Sequence, residues 1–122
     1  MYEVFTQAHF SAAHHLVSYE GDCARWHGHN WVVRVHIQSE DLDDRGISID
    51  LREVKRALRE ELAELDHRDL NRLPAFRERN PTCEVIAEYL FHRIGRRLNG
   101  DGRRVSRLEV RETPDSGAIY SE

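Results

Sequence analysis

The chain has 122 residues, enough for one domain spanning 1–122 and not comfortably for two. Hydrophobic residues are 39% and charged residues 33%, a solvated globular balance, and a formal net charge of -4 argues against a general nucleic-acid binder. No apolar run is long enough to span a membrane.

Tyr2 to about Ala13 alternates as a strand, with Val4, Thr6, Ala8, Phe10 and Ala12 on one row. The start of the chain lacks the basic and apolar regions of a signal peptide. The cytosol is therefore the expected location, with Cys23 and Cys83 reduced. A loop through Ser18–Asp22 leads to Cys23. The second strand runs from about His29 to Gln38, with Trp31, Val33, Val35 and Ile37 facing inward. A polar loop, Ser39–Gly46, follows, and Ile47–Ile49 extends the sheet briefly.

Asp50 reads as a helix N-cap, and Glu53 completes a capping-box pattern. Leu51, Val54, Leu58, Leu62 and Leu65 form one apolar stripe, which packs on the sheet. The helix ends near Asp66–Asn71, and Leu73–Phe76 is a loop. Asn80 caps a second helix with Pro81 in its first position. Its buried face is Ile86, Tyr89, Leu90, Ile94 and Leu98, and Asn99–Gly102 ends it. Val105–Thr113 is a third strand, with Leu108, Val110 and Glu112 on one row. After a turn at Pro114–Gly117, Ala118–Ser121 is a short fourth strand.

The order ββααββ predicts an α+β fold, a four-stranded antiparallel sheet with both helices on one face. Such a sheet has two open edges. Pairing between copies into a closed ring would remove them, so a homo-oligomer is expected.

The chemistry concentrates at Cys23-Ala24-Arg25-Trp26-His27-Gly28-His29. Residues i and i+2 of a strand point the same way, so His27 and His29 can reach one metal ion. His14 shares the inward parity of the first strand and supplies a third imidazole. A lone His-x-His pair is more often surface or satisfied core; the third histidine changes the balance. Three neutral histidines with an open fourth position describe a catalytic zinc site better than a structural one. Cys23 is then a fourth ligand, a bystander, or an acid/base group.

Asp66-His67 could orient and activate a thiol, although a charged helix end is usually just solvated. Glu112 sits on an inward row, where a carboxylate needs a partner: an arginine, or a ligand with adjacent N–H donors. Thr82 and Glu84 start the second helix, where capping explains them equally well.

Five blocks in register resemble the 6-pyruvoyl-tetrahydropterin synthase family. They are Phe10-x-Ala12-Ala13-His14, Cys23-x-x-x-His27-Gly28-His29, Leu65-Asp66-His67-x-x-Leu70-Asn71, Asn80-Pro81-Thr82-x-Glu84 and Glu112-Thr113. The spacing from Cys23 to His27 resembles the family's bacterial, carboxy-forming branch of the queuosine pathway. The resemblance implies a tunnelling fold, in which three subunits close a barrel and two rings stack as a hexamer. It implies Zn2+ on His14, His27 and His29. It implies Cys23 as general base with Asp66 and His67, the latter pair from a neighbouring subunit. Glu112 would anchor the pterin, helped by Thr82, the backbone at Cys83, and Glu84. The implied substrate is 7,8-dihydroneopterin triphosphate, converted to 6-carboxytetrahydropterin, acetaldehyde and triphosphate. His15, after His14, departs from the basic or polar residue frequent there. The residues holding the triphosphate are left open among Arg25, Arg34 and Lys55.

Overall fold

The computed structural model describes residues 1–122. Its strands follow from the alternation. β1 (Tyr2–His14) and β2 (His27–Ser39) pair antiparallel, with Phe10 opposite Trp31 and His14 opposite His27. β3 (Arg103–Thr113) pairs with the other edge of β2, and β4 (Ser116–Ser121) with β3. The sheet order is β1-β2-β3-β4, antiparallel throughout. Trp31, Val33 and Val35 on β2, with Leu108 and Val110 on β3, lose all solvent contact.

Helix α1 (Leu51–Ala63) lies against β1, and α2 (Cys83–Leu98) against β3 and β4. Val54, Leu58 and Leu62 of α1, with Ile86, Leu90, Ile94 and Leu98 of α2, join the strand residues in one core. Burial of each such side chain contributes about 2 kcal/mol. Between the helices Glu61 is 2% exposed, with one carboxylate oxygen held by Arg93 Nε at 2.9 Å and the other by Arg97 Nε at 2.8 Å. That pairing is what allows a buried charge at this position.

The predicted fold is found, with local differences. Ile47–Ile49 forms no strand, because Asp43 folds the chain back on itself. Its Oδ1 accepts from the N–H groups of Arg45 and Ile47, and its own N–H donates to the Ile47 carbonyl. Asp50 caps α1 through the N–H of Arg52, but Glu53 reaches across to Arg103 rather than back to the cap. Leu51 lies at the exposed margin of its stripe, and α1 stops at Ala63. Leu70–Arg72 and Pro74–Phe76 are 3-10 turns, the second of which buries Phe76.

A further difference concerns α2. Its N-cap is Thr82, whose Oγ1 accepts from Val85 N–H at 3.2 Å. Asn80 and Pro81 lie outside the helix because both have partners elsewhere: the Asn80 amide bonds Val17, and the Pro81 carbonyl accepts from His14.

Candidate metal centre

The first pair of the β1–β2 hairpin places His14 opposite His27, and the next inward position adds His29 opposite Ala12. Ring centroids are 4.5 Å apart for His14 and His27, 4.8 Å for His27 and His29, and 5.2 Å for His14 and His29. One nitrogen from each ring lies within 4.8 Å of the other two. Trp31 forms the floor, its ring edge-on to His14 and His29 and its Nε1–H donating to the Ala12 carbonyl.

The ring orientations are fixed from behind. His14 Nδ1 donates to the Pro81 carbonyl at 2.8 Å, and His27 Nδ1 to the Arg25 carbonyl at 2.7 Å. A carbonyl only accepts, so in each neutral ring the proton sits on Nδ1 and the lone pair on Nε2. The Nε2 atoms of His14 and His29 are buried and have no hydrogen-bond partner. Burial chiefly pushes the His14 imidazole below its ordinary pKa; the Pro81 carbonyl opposes this and the two neighbouring imidazoles reinforce it. His29 is lowered for the same first reason, with Glu112 opposing. Neutral imidazoles with unpartnered, converging lone pairs are what a divalent metal requires, and backbone acceptors behind two of them are the usual support for metal-ligating histidines.

The remaining candidates divide. Glu112 Oε2 lies 3.7 Å from His29 Nε2, and no arginine reaches it. Cys83 is buried; the Glu112 backbone donates to its sulfur, while burial first, then Glu112 and Glu84, push its thiol up to about 12. It is a neutral group beside Glu112. Thr82 acts as the α2 cap, and Glu84 is exposed on the first turn. Cys23 stands in a 3-10 turn (Asp22–Ala24), is exposed, and is not among the clustered donors.

Asp66 and His67 form a dyad on the free edge of β1. Asp66 Oδ2 pairs with His67 Nδ1 at 2.9 Å, and Asp66 Oδ1 accepts from Ser11 N–H at 2.8 Å. The Ser11 hydrogen bond, then His67, hold the Asp66 carboxyl below its ordinary pKa. The His67 backbone has φ 58 and donates to the Ser11 carbonyl, so a strained residue is held in place by the strand. Neither residue bonds Cys23 or the cluster within this chain, but His67 and His29 line one open cleft of about 540 Å³. Arg34 is occupied by Gln7 on the helix-free face, which leaves it a poor candidate for holding a phosphate. Trp31 and the Pro81 and Arg25 carbonyls were not anticipated as parts of the site, since a backbone acceptor has no side-chain signature.

Fold and site together define a tunnelling-fold protein with a candidate metal centre at one end of its sheet. A family model described as 6-pyruvoyl tetrahydropterin synthase matches residues 3–122, and the chain belongs to that family. A Synechocystis relative, 6-carboxy-5,6,7,8-tetrahydropterin synthase, is 32% identical over 98% of this chain and 93% of its own. A Pyrococcus furiosus relative, dihydroneopterin monophosphate aldolase, is also 32% identical, covering 93% and 92%. Among solved structures, Caenorhabditis elegans 6-pyruvoyl tetrahydropterin synthase superposes with a TM-score of 0.89 at 26% identity, covering 99% of this chain and 95% of that one. No helix is long and apolar enough to cross a membrane.

Proposed function

We propose that this chain is a zinc-dependent 6-carboxy-5,6,7,8-tetrahydropterin synthase, a cytosolic lyase of queuosine biosynthesis. It would take 7,8-dihydroneopterin triphosphate and water to 6-carboxytetrahydropterin, acetaldehyde and triphosphate. The observation that carries this reading is the pair of buried, unpartnered Nε2 atoms on His14 and His29. With His27 they supply three imidazole donors, which suit zinc and leave a coordination position for substrate.

Zinc held there supplies Lewis-acid polarisation of the substrate's side-chain oxygens. The chain's own residues do the rest. Glu112 accepts from adjacent pterin N–H groups and fixes the ring, with Thr82, the Cys83 backbone and Glu84 completing that wall. Cys23 takes and returns protons on the substrate side chain. His67, oriented by Asp66, carries protons at the other side, contributed by a neighbouring subunit in a hexamer built as a dimer of trimers. β4 and, ahead of Ser11, the outer edge of β1 have no neighbouring strand, which supports such a closed assembly.

Incubating the zinc-loaded protein with 7,8-dihydroneopterin triphosphate tests the reading. Acetaldehyde and triphosphate are expected in equal amounts. The second reading follows the structural neighbour: triphosphate elimination with retention of the side chain. Triphosphate and a pyruvoyl product without acetaldehyde would establish it and remove the first.

A further inference from the structure

Residues 15–26 join His14 to His27 and carry Cys23. They form no named strand, and a turn begins at Val17, yet the amides of residues 15–17 bond to alternate sides. The amides of His15 and Val17 point one way and that of Leu16 the other, as successive strand peptides do. Leu16 N–H donates inward to the Cys23 carbonyl at 2.8 Å. On the opposite side Asn71 Oδ1 accepts from His15 N–H at 3.0 Å, and its Nδ2 donates to the His15 carbonyl at 3.0 Å. Asn80 does the same for Val17, at 2.8 and 2.9 Å. A side-chain amide carries the donor and acceptor of a peptide. Each asparagine thus replaces one residue of a missing neighbour strand.

We propose that Asn71 and Asn80 are positioning residues for Cys23: their amides act as a two-residue substitute strand that holds residues 15–17 extended, so that Leu16 fixes the backbone carrying the thiol. The proposal rests on Cys23 being the proton-transfer group.

Three observations carry it. These two pairs are the only hydrogen bonds joining residues 15–24 to the rest of the chain; the backbone bonds of Cys23 and Ala24 stay within the loop, and Arg25 alone reaches out, its carbonyl accepting from His27 Nδ1. Ser18 at φ 61 and Gly21 at φ 109 turn the loop in positive-φ backbone, the first of them strained for a residue with a side chain, so the loop's shape depends on what holds its ends. Each clamp also grows from a segment already serving the site. Asn80 precedes the Pro81 carbonyl that orients His14, and Asn71 follows the Arg68–Asp69 stretch that docks on Ala13. One scaffold therefore sets the imidazole and the thiol in the same frame. At the far end His15 and Trp26 pack ring on ring, centroids 3.9 Å apart, closing the loop.

The test uses Asn71→Ala and Asn80→Ala. Asn71→Asp and Asn80→Asp, which keep the acceptor and lose the donor, are milder replacements should an alanine variant not fold. Hydrogen exchange of residues 15–24 is read in metal-free and zinc-loaded protein, alongside zinc content and turnover. Exchange should quicken roughly tenfold in both forms. Zinc content should stay at the wild-type level, and kcat should fall about tenfold with KM little changed. Unchanged exchange overturns the clamp. Faster exchange with wild-type kcat, or turnover lost in step with zinc, overturns the positioning role. Full turnover in Cys23→Ala, a separate variant, overturns the role of Cys23 and this inference with it, whatever the exchange data give.

Discussion

His14 donates its Nδ1 proton to the carbonyl of Pro81, 2.8 Å away, and so turns its other nitrogen toward His27 and His29. The end of β1 and the approach to α2 are coupled at this one bond. With His14→Ala the remaining pair cannot complete a stable site. After dialysis that variant is expected to retain background metal by atomic emission, where wild type keeps a full complement. Chelation should lower the melting temperature of wild type and leave that of the variant unmoved, because only a bound ion stabilises the folded state. Metal retained by His14→Ala would remove His14 from the site.

Acidification gives a second test, on the metal-free chain. His14, His29 and His36 are all held below their ordinary value of 6.5, burial being the first cause for each. Below that value the unfolded chain binds more protons than the folded one, so stability rises with pH in this window. The urea midpoint should therefore be lower at about pH 5.5 than at about pH 7.5. Glu3, Asp50 and Asp66, all lowered, act with the same sign but in the carboxylate range below it. A midpoint that stays level down to the carboxylate range would contradict the buried, neutral state of these histidines.

Cys23 is exposed and outside the cluster of donors. Its replacement by alanine should therefore spare the metal and remove the chemistry. Turnover of 7,8-dihydroneopterin triphosphate is expected to fall about 1000-fold, within the range for loss of a general base. Zinc content should match wild type. A variant that also loses its zinc would make the thiol a ligand, an active one would remove Cys23 from the chemistry, and no turnover by zinc-loaded wild type would support a binding module without catalysis.

Much of this was readable in the order of side chains. The inward rows of β1 and β2 are uninterrupted, so parity alone placed three imidazoles on one face at one end of the sheet. Asn80 departs from its local signal for a physical reason. Asparagine followed by proline is a good local start for a helix, but its amide bonds Val17, 63 residues earlier in the chain, and Thr82 takes the cap. The capping box failed likewise, since Arg103 competes for Glu53. The supports behind His14 and His27 are carbonyls, which every residue has. The bulge in β3 also hid from alternation: Ile37 pairs with Val105 and His36 with Arg107, leaving Ser106 as an extra residue.

The seam between the helices makes a prediction about asymmetry. Glu61 is 2% exposed, whereas the side chains of Arg93 and Arg97 are 35% and 37% exposed. Removing both arginines strands a carboxylate in the interior and should cost about 3–5 kcal/mol. Glu61→Gln leaves two cations that can reach water, and should cost about 1–2 kcal/mol. Urea unfolding of the two variants measures the difference. Equal losses would mean the carboxylate is better hydrated than its burial implies.

The pairing of His14 with His27 has one more consequence. These residues bracket the hairpin connection, so a bound ion would act as a clasp across residues 15–26, much as a reducible crosslink would. Stripping the metal would then do more than disable chemistry. It would unfasten the end of the sheet, and the segment bearing the thiol would be left to the grip of two asparagines.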